Sequence, residues 1–193
     1  MSKETLQKLS DPAFYREIGI EKKWRVLRTF GTQCECVPYQ DARDVQKVLD
    51  AAVGAENWSN EALSIGGKLY MNLGIRLGEE WVYKTDVGTE SNIEKTKGEA
   101  SDALKRAAVM WGVFRNLYDT DGIILNVKGK TPLTAGGKEL KTPAQLSAYC
   151  NGLNSEMGKL MSIYIGNKGA FDAHPDAMKL LSELKNFLNG IQE

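Results

Sequence analysis

Between Trp58 and Gly88 the chain reads with a period of two, and directly afterwards with spacings of three and four. Few folds accommodate that switch. Three strand-like runs, 57–65, 69–77 and 80–87, are separated by Gly66-Gly67 and by Gly78-Glu79. Glycines supply the positive φ that two-residue hairpin turns need, so the runs predict an antiparallel β-meander. The next stretch, 92–118, carries Ala100, Leu104, Ala107, Ala108, Trp111 and Tyr118 on one helical stripe. It predicts a long helix, rich enough in alanine to lie close against a sheet.

The flanks are read the same way. Residues 3–18 have Leu6, Leu9, Ala13, Phe14 and Ile18 at helical spacing, broken near Asp11-Pro12. Residues 24–30 alternate and predict a strand. Pro38-Tyr39-Gln40-Asp41 is read as a helix start, with Val45, Val48, Leu49, Ala52 and Val53 as its stripe and Gly54 as its stop. Ile123–Val127 reads as a strand, and 128–142, rich in Gly, Lys and Thr, as an exposed loop. Thr142-Pro143 opens another helix with Leu146, Tyr149, Leu153 and Met157 on its stripe. A linker over 166–175 and a terminal helix over 176–190 complete the pattern. The expected fold class is α+β: an antiparallel β-meander packed on a long helix, with a helical C-terminal extension. The expected division is 1–20 as an N-terminal helical segment, 21–127 as the core, and 128–193 as a loop and helical extension.

Hydrophobic residues make up 42% of the 193, enough for a buried core. Lysine plus arginine equals aspartate plus glutamate, 25 each. Any basic groove must therefore be balanced by acidic surface elsewhere. Cys34, Cys36 and Cys150 form an odd set without framework spacing and read as reduced thiols. With a charged N-terminus and no run of ~20 apolar residues, a cytoplasmic protein without a membrane span is expected.

Catalytic motifs are sparse. Gly66-Gly67-Lys68 and Gly136-Gly137-Lys138 lack the spacing with which a phosphate loop cradles a nucleotide, so both read as turns and no cofactor is expected. His174 is the sole histidine, which argues against Ser-His or Cys-His chemistry and against a Cys/His zinc site. Glu139-Leu140-Lys141 has the E-x-K spacing of metal-dependent nucleases, with Asp119 or Asp121 as the upstream acid. Such a site needs its E-x-K on a buried strand, and a solvated loop is expected here instead. A non-enzymatic protein is the leading expectation, with a metal-dependent nuclease and a purely structural oligomer as alternatives.

The segment Lys97-Gly98-Glu99-Ala100-Ser101-Asp102-Ala103-Leu104-Lys105-Arg106-Ala107-Ala108-Val109-Met110-Trp111-Gly112 resembles the signature helix of the Rad fifty-two/Rad twenty-two family of single-strand annealing proteins, which has phage Sak-type and DdrA-like members. The shared core is [ST]-D-x-L-K-R-A, followed by an aromatic residue and a glycine. Tyr39–Gly54 resembles the family's first helix, and Asn57-Trp58-Ser59 follows it. Gly74–Gly88 resembles its strands, and Glu90–Lys97 the approach to the signature helix. The likeness spans about residues 24–126.

The resemblance implies a β-β-β-α core assembled into a homo-oligomeric ring or helical filament. Single-stranded DNA would run in a basic groove, and complementary strands would anneal without ATP in recombination and DNA repair. The family's Lys-Arg pair maps onto Lys105 and Arg106. A basic residue of the first helix lines the same groove, and Arg43 stands one position from that place. The residues themselves add that Lys105 and Arg106 lie ~100° and ~200° from Leu104 around a helix, off the apolar stripe and away from the sheet. Lys95 and Lys97 extend positive charge toward the helix start, where the macrodipole favours phosphate. Tyr70, Trp81, Tyr83 and Trp58 could stack on bases but suit a core or subunit interface better. A single-strand binding protein is a candidate partner for the C-terminal helix.

Overall fold

In the computed structural model the described residues are 3–89 and 95–155, with Lys179, Ser182 and Asn186 beyond them, each helical. The expected linker at 166–175 lies outside the described residues, as does the terminal helix apart from those three. In chain order, α1 (Lys3–Lys8) and α2 (Pro12–Glu17) are followed by β1 (Lys23–Phe30), β2 (Gln33–Tyr39) and α3 (Ala42–Val53). Next come β3 (Trp58–Ile65), β4 (Lys68–Leu77), β5 (Glu80–Val87) and α4 (Lys95–Met110). Finally β6 (Ile123–Lys128), β7 (Thr131–Pro132) and α5 (Pro143–Leu153) close the described chain. The fold is α+β.

These elements form two compact units, each assembled from separated stretches: 1–21 with 39–120, and 22–38 with 121–193. The first unit holds the meander, a three-stranded antiparallel sheet in the order β3-β4-β5. Its strands begin and end within one residue of the sequence expectation. Ile65 pairs with Lys68 across Gly66 (φ 59°) and Gly67 (φ 77°), the left-handed pair of angles that closes a two-residue hairpin. Leu73 and Ile75 of β4 are fully buried against Ala103, Ala107 and Ala108 of α4. Those alanines present no bulk, so the helix lies directly on the central strand. Val45, Val48 and Leu49 of α3, Leu9 in the turn between α1 and α2, and Phe14 and Tyr15 of α2 pack into this core. The Tyr15 hydroxyl donates to the Leu9 carbonyl and accepts from the Phe114 amide at 3.1 Å.

The long helix is shorter than its stripe suggested. It stops at Met110 rather than near 118, because Gly112 takes φ 97° and the chain folds back on the helix end. The Gly112 amide donates to the Val109 carbonyl and the Val113 amide to that of Ala108, the two bonds of a Schellman stop. Tyr118 therefore leaves the stripe and is 71% exposed. Likewise α3 begins at Ala42, not at Pro38: Asp41 caps it through the Arg43 and Asp44 amides, and Tyr39 ends β2.

The second unit holds a four-stranded sheet in the order β1-β2-β6-β7. Its core joins Trp24, Cys34, Cys36 and Leu125 to Leu146, Tyr149 and Cys150 of α5. The Trp24 indole N–H donates to Asn151 at 2.7 Å, and Asn151 donates in turn to the Lys22 carbonyl at 2.8 Å. The exposed loop expected over 128–142 is more ordered than that: β7 lies within it, Leu133 bridges Glu139, and Leu140 is buried in the core. All three cysteines are free thiols.

Candidate nucleic-acid interface

One side of α4 is apolar and the other carries charge, a consequence of 100° per residue. Ala103, Leu104, Ala107 and Ala108 are buried, while Lys105 and Arg106 are half-buried at the margin. The two cations are held differently. Lys105 Nζ lies 3.5 Å from Asp102 Oδ1, one turn back on the same helix. Arg106 Nη2 lies 3.3 Å from Asp86 Oδ1 on β5. Arg106 thus does not point away from the sheet as its helical angle suggested. Because β5 is an edge strand running beside α4, the guanidinium reaches the strand's carboxylate. Its Nε is enclosed without a hydrogen-bond partner.

Asp102 is also the anchor for the chain entering from β5: it accepts from the Thr89 amide at 3.1 Å and hydroxyl at 2.8 Å. Burial pushes its carboxyl up, but the Thr89 hydrogen bonds and the Lys105 charge outweigh that and hold it below the usual value. Glu99 turns toward the sheet and accepts from the Leu69 amide at 3.1 Å. Lys95 and Lys97 occupy the first turn of α4. Arg43 is exposed in the first turn of α3, and no hydrogen bond or ion pair among the described residues joins it to Lys105 or Arg106. So Lys105 and Arg106 come together on one helix, each beside a carboxylate.

Two cations missed in the sequence complete the far end of α4. Lys84 of β5 donates to the Met110 carbonyl at 2.7 Å and sits 4.4 Å over the Trp111 ring. Burial, reinforced by the Arg115 charge, lowers its pKa. Arg115 donates to the Val109 carbonyl at 2.9 and 3.2 Å and to that of Met110 at 3.1 Å. Both cap the negative end of the helix dipole. Isolated in sequence, neither stands out; only the turn at Gly112 and the β5 register bring them there. Trp111 is tied down by a bond from its indole to the Leu73 carbonyl at 3.1 Å. Trp81 and Tyr83 stack at 6.2 Å on the opposite face of β5, and Tyr83 lies across Gly74, where a Cβ would sit 2.5 Å from its ring. Trp58 is held at its indole by Asp50 at 2.7 Å.

Two single-stranded DNA-binding proteins DdrA share part of this sequence. The protein from Deinococcus deserti is 42% identical over 81 residues, covering 41% of this chain and 40% of its own. The one from Deinococcus radiodurans is 38% identical over 90 residues, covering 46% of this chain and 43% of its own. The chain spans less than half the length of either. No protein-family profile matches it, and no solved structure does.

The E-x-K motif resolves into ion pairs. Glu139 meets Lys128 at 2.9 Å and Lys141 at 3.4 Å, and those contacts, led by the Lys128 hydrogen bond, depress its pKa. Among the described residues no cluster of three His, Cys, Asp or Glu side chains suits a metal ion. Nor is any described helix long and apolar enough to cross a membrane.

Proposed function

We propose that this chain binds single-stranded DNA along α4 and anneals complementary strands without ATP, as a homo-oligomer of ring or helical form. The observation that carries the reading is the partial likeness to two DNA-binding relatives. The wider membership in the Rad fifty-two/Rad twenty-two annealing family, and with it a place in recombination and DNA repair, is part of the same proposal. Lys105 and Arg106 would meet phosphates, with Lys95, Lys97 and Arg43 extending the track and a single-strand binding protein as a further partner. The geometry supports such a role because the carboxylates beside Lys105 and Arg106 hold them only weakly. Both pairs remain partly open to solvent, where an ion pair contributes about 0–1 kcal/mol, so a phosphate displaces Asp102 or Asp86 at little cost. Charge-assisted bonds from a guanidinium to phosphate are stronger and often bidentate.

Annealing needs no hydrolysis. Duplex stacking supplies about 1.4 kcal/mol per step once two strands are held extended with their base edges free. The test is to mix complementary labelled strands with the protein and no nucleotide, then to repeat the binding with Lys105→Ala/Arg106→Ala. Accelerated annealing is expected from the native protein. The double variant should fold normally and bind more weakly to strands of every sequence. Its dependence of log K on log salt should flatten by about 1.4, at ~0.7 per lost phosphate contact. Unchanged affinity and slope would remove these residues from the interface.

A further inference from the structure

The stop at Gly112 has a second result. It returns the chain beside the last turn of α4 and sets Arg115 and Tyr118 next to Arg106. Asp86, Arg106, Val109, Met110, Arg115 and Tyr118 line a groove of about 330 Å³, at the small end of ligand sites generally. Its floor is apolar: Val109 and Met110, the latter 43% exposed. Its positive charge is held in two ways: Arg115 is pinned by three bonds to the helix-end carbonyls, and Arg106 is oriented by one ion pair to Asp86 that a phosphate can displace. At its side stands Tyr118, whose ring makes no hydrogen bond or aromatic contact among the described residues. An unengaged, exposed aromatic beside preset guanidinium groups and an apolar floor is the combination that takes a nucleotide: the ring stacks on the base and the cations meet its phosphate.

We propose that this groove is a single-nucleotide subsite, in which Tyr118 stacks on one base of a bound single strand and Arg115 with Arg106 contacts the adjoining phosphate. The proposal rests on the single-strand-binding reading and adds base contact to a site otherwise made of phosphate contacts. The two exposed aromatics of β5 are differently placed. Trp81 and Tyr83 stack on each other, and Tyr83 already covers Gly74. Stacking on a base tolerates any sequence, so the subsite strengthens binding without choosing among bases.

The experiment compares affinity for an all-thymidine strand with affinity for a strand of equal length that lacks bases. The native protein should prefer the thymidine strand by about five-fold or more, the least that one good stack contributes. Tyr118→Leu should lose most of that preference while keeping its affinity for the abasic strand. Tyr118→Phe, which retains the ring, should keep the preference. The side chain is exposed, so both variants should keep the fold, and circular dichroism checks it. A preference that survives in Tyr118→Leu overturns the subsite and leaves single-strand binding standing. A native protein that binds neither strand overturns both readings together.

Discussion

Lys105 and Arg106 are adjacent in sequence, yet their partners come from different elements. Asp102 serves Lys105 while also receiving both Thr89 donors, so it couples the basic pair to the chain that leaves β5. Its carboxyl pKa is held below 3.8, which makes its contribution to stability fully present above that pH and lost as pH falls through the lower folded value. Asp102→Asn should therefore cost about 1.5 kcal/mol at neutral pH, the low end for losing one hydrogen bond to a charged group. Urea midpoints should show that gap at pH 7 and show it narrowing below pH 3.8. A gap of constant size would mean that the charge of Asp102 is not what stabilises the fold. Lys105 and Arg106 stood out through the resemblance of the segment around them to a signature helix, since a Lys-Arg pair off an apolar stripe is by itself an ordinary solvated face. Lys84 and Arg115 were not, since each lies in an unremarkable local sequence and acquires meaning only from neighbours far along the chain.

Elements were legible where a local rule dictates them. The meander follows from alternation plus glycines at its turns, and its bounds hold to within one residue. Helix α3 follows from an apolar stripe ended by Gly54, but its start was misplaced because Pro38-Tyr39 belongs to a strand whose neighbours are distant in sequence. The capping box of Asp41 and Asp44 sets the true start. Asp41→Ala should cost about 1 kcal/mol of unfolding free energy, measured by denaturant melting, with the helix otherwise intact. Strand β2 escaped because its inward residues are Cys34 and Cys36, small thiols that a hydrophobic pattern weighs lightly. The stretch 128–142 escaped because a single apolar residue, Leu140, pins it. The end of α4 was overrun because Tyr118 continues a helical spacing that Gly112 had already broken.

At the scale of the whole chain, an overall charge of zero conceals an uneven distribution. The unit with the meander and α4 contains 13 basic and 17 acidic residues, and the other contains 12 and 8. The basic pair on α4 thus lies within an acidic unit, and under the proposed function that predicts a reversible hold on a strand with strong sensitivity to salt. The thiols are also unevenly distributed: Cys34, Cys36 and Cys150 all belong to the second unit, and the first has none. Burial, then the neighbouring Cys36 thiol, pushes Cys34 up to about 11. Cys36 is raised further by its hydrogen bond to Cys150 and by burial. Cys34 and Cys36, buried with raised pKa values, and Cys150, buried beside them, are unreactive toward alkylating reagents until their surroundings part. Native-state alkylation, followed by mass spectrometry, should accordingly run far slower than alkylation in urea. The molecule thus carries a built-in stopwatch: three thiols that time the parting of the core that encloses them.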